Sequence, residues 1–522
     1  MKTEKTFGNG NIALTAVCLA ALMFGLEISS VPVILPTLEK ALHGDIKDMQ
    51  WIMNAYTLAC TTILMAAGTL ADKFGRKFIF VITLIAFGIT SLFCGLVASP
   101  AALVAGRFLQ GISGGAMLIC QIAILSSQFR IAKDRSKAFA AWGIIFGIGL
   151  GFGPIIGGAV VSLANWRWVF LAHVPLAAIA LLLTIYSVQE SRDLNAKRLD
   201  LPGILTLSIS IFGLTYVIME GTDLGFTSLY AILIVAVSVV SFILFIVAEK
   251  RSENPMFDFS VFKIRNFSGA ILGSVGMNCS FWPFMIYLPI YFQICLGYNI
   301  IEASLSLLAY TIPTLLIPPV AERLSLKYQS RIIIPSGLFI IGLGFISMKF
   351  GSDVQHPGWL TMLPGSVLAG IGLGLTNTPV TNTTTGSVTS SRAGMASGID
   401  MSARLITLAI NIAIMGLLLE EGTLSYLKGA LRGVIGKFPV NLLAEKITSG
   451  SLSGLQQTFP QLSYLDPSGA IVHDALNSGF KNVLTYGGVG VWILATLSFF
   501  VFGPGGPARK KISDSPQRKA DR

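Results

Sequence analysis

Four charged side chains in this sequence could do chemistry because of where they fall. Glu27 lies deep inside the first long apolar run, Arg107 inside the fourth, and Asp400 and Arg404 inside the thirteenth. Hydrocarbon disfavours a charged carboxylate, so a carboxyl group placed there is suited to loading and releasing a proton, and it also attracts a cation. A group that does both makes proton and cation compete, which is the elementary basis of exchange. Glu27 is the acid placed deepest in the first six runs, roughly 20 Å along its helix from the end that carries the basic residues. An arginine within a span costs roughly 2.5–3.5 kcal/mol on insertion scales unless it is paired or faces water. Gln110, one turn from Arg107, could share its hydrogen bonds. Asp400 and Arg404 stand four residues apart on one helix face, where they could pair into a neutral structural couple. Glu220 closes the seventh run and is expected in solvent, and His173 is expected to be an interfacial hydrogen-bonder. The ninth run clusters aromatic residues. Trp282, Tyr287 and Tyr291, with Gln293, form a candidate substrate surface able to hold a lipophilic cation; packing or lipid contact would use the same residues.

The elements that must position these residues are membrane helices. Charged residues are 12% of 522, against the ~25% typical of soluble domains, and apolar residues are 53%. Mean hydropathy is +0.72. A run of about 20 apolar residues spans a bilayer as a helix. Fourteen runs qualify, near 12–35, 51–70, 78–98, 101–127, 138–163, 166–188, 203–220, 227–248, 267–295, 303–320, 332–350, 359–380, 398–420 and 484–503. The weakest are 303–320 and 359–380, which carry Pro and polar Thr or Asn. The first run is too long for a cleaved signal and is read as retained. The six cysteines fall inside predicted spans without metal or redox spacing, as small apolar residues would. Most of the 37 Lys and Arg residues gather in the odd-side loops and both termini, which places both ends in the cytoplasm. The net charge of +11 then orients the chain and attracts anionic lipid, with no need of nucleic acid. Residues 421–483 read as an extracytoplasmic loop with short helices, including the amphipathic VNLLAEKI. The basic tail reads as disordered.

Between the second and third runs lies GTLADKFGRK, Gly68 to Lys77. Gly68 and Gly75 permit close approach and a tight turn. Asp72 could pair with Arg76 and with the N-terminus of another helix, latching two helices on the inner face. On charge alone, the same loop could serve only to set topology. The stretch resembles the cytoplasmic loop of the major facilitator superfamily, with Gly68, Asp72, Gly75, Arg76 and Lys77 at matching positions. RFLQGISGGA is similar to the span-four motif of that superfamily, through Arg107, Gln110 and Gly111. GIGLGFGPIIGG resembles its antiporter motif, through Gly149, Gly153, Pro154, Gly157 and Gly158. NWRWVFLAHVP, LEISSVPVILP, YLPIYFQICLG and AGMASGIDMSAR resemble further patterns of the fourteen-helix drug:proton antiporters. Glu27 takes the place of that family's Asp, and Pro32 and His173 each take the place of an Asn. In the second half, Leu326 sits where the loop's Asp would be, so the inner latch is expected to be stronger in the first half.

The resemblance implies an all-α polytopic membrane protein with the major facilitator fold: two six-helix bundles of inverted three-helix repeats plus two extra transmembrane helices, 14 in total. The expected division is 1–188 for the first bundle and 189–266 for a linker with the two added helices. The second bundle would then span 267–503, including the 421–483 loop, followed by a basic tail at 504–522. It implies proton-coupled export of lipophilic or cationic small molecules by alternating access, with a part in proton transfer for Arg107. A dedicated proton-coupled transporter of one metabolite, such as a siderophore or amino acid, is the competing reading. A non-transporting membrane receptor is the alternative of another class. No cofactor is expected beyond a proton gradient, since no phosphate-binding loop or metal-ligand set occurs. The expected partners are small-molecule substrate, protons and the lipid bilayer. The protein is expected to act as a monomer, not as an enzyme.

Overall fold

The structure, a computed structural model, describes residues 2–44, 46–129, 131–192, 201–225, 227–251, 259–298, 300–354, 357–389, 392–431, 440–448, 459, 462, 466 and 469–502. The regular elements among them are all helical. The first bundle comprises α1 (Lys2–Leu42), α2 (Ile46–Phe74), α3 (Arg76–Leu96), α4 (Pro100–Gln128), α5 (Ala132–Leu163) and the broken sixth crossing, α6 (Arg167–Leu171) with α7 (His173–Ser187). The breaks have local causes. Gly75, at φ 117°, takes a conformation other residues avoid and separates α2 from α3. Ser99 accepts the backbone N–H of Ala102 at 3.3 Å and Pro100 fills the first helical position of α4.

An added hairpin, α8 (Leu201–Leu224) and α9 (Leu229–Arg251), follows. Its second helix is apolar all round and leaves Ile232, Leu233, Val239, Val240 and Ile243 uncovered, as a lipid-facing helix must. α8 packs on α2 and on α17 (Ala393–Ala430), so the hairpin sits beside both halves.

The second bundle begins with α10 (Arg265–Cys279), α11 (Phe281–Ile290) and a π-helical turn at Tyr291–Cys295. It continues through α12 (Ile300–Ser306), α13 (Leu308–Leu316), α14 (Pro318–Tyr328), α15 (Ser330–Ser352), α16 (Trp359–Gly386), α17, α18 (Val440–Thr448) and α19 (Ala470–Phe502). Among the described residues, thirteen helical stretches are long and apolar enough to cross a membrane. The remaining expected span, 303–320, is assembled from α12 and α13 and breaks at Ile317, just before the Pro318–Pro319 pair opens α14. The other weakly signalled run forms α16 as one continuous helix despite Pro364 and Pro379.

The expected loop at 421–483 is shorter than its sequence suggests. α17 continues to Ala430 and α19 starts at Ala470, fourteen residues before the predicted span. VNLLAEKI does form a helix, and its Val440, Leu443, Ala444 and Ile447 join the apolar core of the second bundle. The basic tail from 504 lies outside the described residues. The halves meet where α2 and α4 pack on α17, and where α5 packs on α13, α14 and α16.

Candidate functional site

Glu27 is fully buried within the first bundle. Its Oε1 accepts a hydrogen bond from Arg107 Nη1 on α4. The same nitrogen donates to Gln110 Oε1 at 2.7 Å, and Arg107 Nε donates to the Ile52 carbonyl on α2 at 3.1 Å. Gln110 passes the chain on, donating from Nε2 to Ser91 Oγ on α3 at 2.9 Å. The guanidinium also lies 4.3 Å from the Tyr56 ring centre. Two opposite charges in a dry bundle are tolerable only when geometry and remaining hydrogen bonds are satisfied, and here three helices supply those bonds. Gly111, one residue after Gln110, lets α4 press on α2: a Cβ there would lie 2.3 Å from the Tyr56 carbonyl oxygen.

The second carboxylate oxygen differs. Glu27 Oε2 has no hydrogen bond among the described residues, and His173 Nδ1 lies 3.3 Å from it. His173 is therefore not interfacial. It is 2% exposed, at the start of α7, and packs edge-on to Phe87. Glu220 is also buried rather than solvent-exposed: it accepts from Asn54 Nδ2 at 2.9 Å and ties α8 to α2.

The glycine-rich stretch of α5 lies along α1 next to Glu27. A Cβ on Gly25 would fall 3.0 Å from Gly149 Cα and 2.8 Å from the Phe146 carbonyl oxygen, so the two backbones touch. Ser29 Oγ donates to the carbonyls of Gly25 and Gly149, each at 2.9 Å. Gly153 and Gly157 face Ser29 and Ser30, while Gly158 faces open space; the side chain of Pro154 lies outside the described residues.

In the second bundle Asp400 and Arg404 do pair, through Nε–Oδ1 and Nη2–Oδ2 contacts of 3.1 Å each. Ser274 of α10 donates to Asp400, and Arg404 also donates to Asn377 and to Thr381 Oγ1 of α16. Every charged atom of the couple is engaged, which suits a fixed brace between α10, α16 and α17.

At the basic end, Asp72 joins the halves. It accepts Arg76 Nη2 at 2.7 Å and Nε at 3.0 Å, and the backbone N–H groups of Gly394 (3.1 Å) and Met395 (3.0 Å) in the first turn of α17. Gly68 allows this approach, since a Cβ on it would lie 2.5 Å from the Gly394 carbonyl oxygen. Lys77 Nζ donates to the Ile185 carbonyl at 2.7 Å, and its backbone N–H and that of Phe78 donate to Glu190. Glu190, unnoticed in the sequence, thus caps α3 where Gly75 turns the chain.

The second half has its own latch, built from other residues than expected. Leu326 is exposed, and Glu322, four residues earlier, is buried in its place. Asn382 Nδ2 donates to Glu322 Oε2 at 2.8 Å, and Arg135 of α5 donates to Asn382 Oδ1 at 2.7 Å and to Thr385 Oγ1. The second half thus has a contact of its own, with its acid about one helical turn before Leu326; the expectation of a stronger latch in the first half is not tested by it.

A narrow crevice runs between the halves, lined by Phe146 and Gly147 of α5, Trp282 of α11, Thr314 of α13, and Asn377 and Thr378 of α16. Of the expected substrate residues, Trp282 borders it. Tyr287 donates to the Ile412 carbonyl at 2.6 Å, Tyr291 is buried against Phe480, and Gln293 is exposed. The four do not converge, because at about 3.6 residues per turn Tyr287 and Tyr291 fall on the other side of the helix from Trp282.

Comparison with known proteins agrees with this architecture. The family model of the Major Facilitator Superfamily matches residues 17–410. Multidrug resistance protein Stp of Mycobacterium tuberculosis (strain CDC 1551 / Oshkosh) is 31% identical over 405 residues, covering 78% of this chain and 75% of its own. Quinolone resistance protein NorB of Staphylococcus aureus (strain MRSA252) is 30% identical over 417 residues, covering 79% and 89%. Among solved structures, the human organic anion transporter MFSD10 (TETRAN) superposes with a TM-score of 0.62 at 13% identity, over 94% of this chain and 99% of that one. The proton:xylose symporter XylE does so with a TM-score of 0.57 at 14% identity, over 95% of each.

Proposed function

The chain belongs to the major facilitator superfamily, and from that premise we propose that it is a proton-coupled antiporter that exports lipophilic small molecules, cations included, across the cell membrane by alternating access. The observation that carries the reading is Glu27: a fully buried carboxylate whose one countercharge, Arg107, is held by three helices of the same bundle. Protonating Glu27 would leave Arg107 its hydrogen bond and remove its countercharge. An uncompensated buried charge costs about 3–5 kcal/mol, enough to shift a balance between two arrangements of the bundles.

The crevice supports the substrate class. Its lining offers aromatic faces from Phe146 and Trp282, amide and hydroxyl groups from Asn377, Thr378 and Thr314, and no charged side chain among the described residues. Such a surface selects for lipophilicity and takes a cation by ring faces rather than by ion pairing. Relatives named for multidrug and quinolone resistance support export. In the proposed orientation both termini are cytoplasmic, so the two latches close the inner end and the conformation seen is not open to the cytoplasm.

The test is Glu27→Gln in vesicles with an imposed pH gradient. The amide still accepts from Arg107, so the protein inserts, but gradient-driven efflux is expected to vanish. Full efflux from that variant removes Glu27 from the mechanism. Competition among unrelated lipophilic cations is expected; competition confined to one metabolite would favour a dedicated porter.

A further inference from the structure

Resting on the antiport reading, we infer that His173 is a second proton-handling residue, a relay that delivers protons to Glu27. Two buried polar atoms without hydrogen bonds among the described residues flank the imidazole: Glu27 Oε2 on its Nδ1 side and its own Nε2 on the other. His173 Nδ1 lies 3.0 Å from the Val169 carbonyl oxygen and 3.3 Å from Glu27 Oε2. Both neighbours are acceptors, so Nδ1 carries the hydrogen and Nε2 holds the free lone pair of the neutral ring. The ring is therefore poised with its open nitrogen turned away from the acid and its protonated nitrogen 3.3 Å from it.

The transfer balances. A proton binding Nε2 makes the imidazolium. The Nδ1–H bond then breaks as an O–H bond forms at Glu27 Oε2. The ring returns to neutral as the Nε2–H tautomer, and the carboxylate becomes the acid. Glu27 Oε1 stays with Arg107 throughout, which is why the proton lands on Oε2. Among the described residues, the titratable and charged groups around the pair are Tyr56 from α2, Cys94 from α3 and Arg107 from α4, besides Glu27 from α1. The one permanent cation among them already has Glu27 as its partner, so a charge on His173 is transient by construction. The position suits delivery from outside. His173 lies at most about 9 Å along the helix from Arg167, at the end opposite the latches.

The experiment reconstitutes the full chain and measures ethidium transport two ways across roughly pH 5.5–8: driven by a pH gradient, and by counterflow without one. The readout is the ratio of the two rates, for wild type, His173→Asn and His173→Gln. In wild type the ratio is expected to change with pH. In both variants the ratio is expected to fall about tenfold or more and to lose that pH dependence. A variant ratio and profile like wild type overturns the relay, and so does a parallel fall of both rates, the mark of a structural residue. Should neither variant insert, a wild-type ratio that is flat with pH overturns it equally. Counterflow without any gradient-driven transport in wild type overturns the antiport reading as well, whereas normal wild-type coupling with unaffected variants overturns the relay alone.

Discussion

At the scale of single residues, the charges inside the spans separate into two kinds. Asp400 and Arg404 satisfy each other on one helix and are braced by Ser274, Asn377 and Thr381. Glu27 and Arg107 meet across helices and leave one oxygen unspent. A double-mutant cycle distinguishes a pair of this kind from two independent contributors. Arg107→Ala strands a buried carboxylate and is expected to destabilise by about 3–5 kcal/mol, whereas Arg107→Ala combined with Glu27→Gln is expected to recover most of that loss. Thermal unfolding in detergent reads the difference; strictly additive losses would mean that the two do not depend on each other. Cost made Glu27 and Arg107 legible in the sequence, since hydrocarbon penalises every charge whatever its partner. Nothing comparable singles out His173 or Glu220. A neutral imidazole carries little penalty, and a carboxylate at a predicted span end reads as solvated. Their burial follows from tertiary packing that no local pattern encodes.

At the scale of elements, hydropathy located thirteen of the crossings among the described residues because length and apolarity are local quantities. It misjudged the ends of α17 and α19, where polar residues such as Glu420, Glu421 and Lys481 continue the helix beyond the expected membrane boundary. Helix propensity and packing, rather than apolarity, set those ends. The contact of α1 with α5 was legible only as a supply of glycines. The structure shows what they serve: backbone contact at Gly25 and Gly149 that holds Glu27 at a set height beside Arg107. Gly149→Val would force the helices apart, since even a Cβ there would sit 2.8 Å from the Leu22 carbonyl oxygen. Overpacking of this kind costs typically about 1–3 kcal/mol. The expected result is an inserted protein with a lowered Tm and proton leak in vesicles without substrate. An unchanged leak, together with an unchanged Tm, would mean that the tight contact is dispensable.

At the scale of the whole molecule, rocking of two bundles requires both contacts at the basic end to open together. One is Asp72 on the first turn of α17; the other is Arg135 on Asn382 and Thr385, with Glu322 behind. They lie on different helix pairs, α2–α17 and α5–α16, so their losses should add in free energy if a single rigid-body motion breaks both. Each hydrogen bond to a charged group contributes about 1.5–3 kcal/mol, and every 1.4 kcal/mol is about tenfold in population. Asp72→Asn keeps the shape but loses charge at two backbone donors, and is expected to raise opening at the basic end about tenfold. Glu322→Gln leaves Arg135 bonded to Asn382 and Thr385, so its effect should be smaller, and the double variant should approach the product. A reporter cysteine at Thr314, which lines the crevice, measures this by its labelling rate with a membrane-impermeant maleimide in inside-out vesicles; the six native cysteines are buried. Slower labelling in Asp72→Asn, or a double variant no faster than the better single one, would show that the two contacts do not guard a common gate.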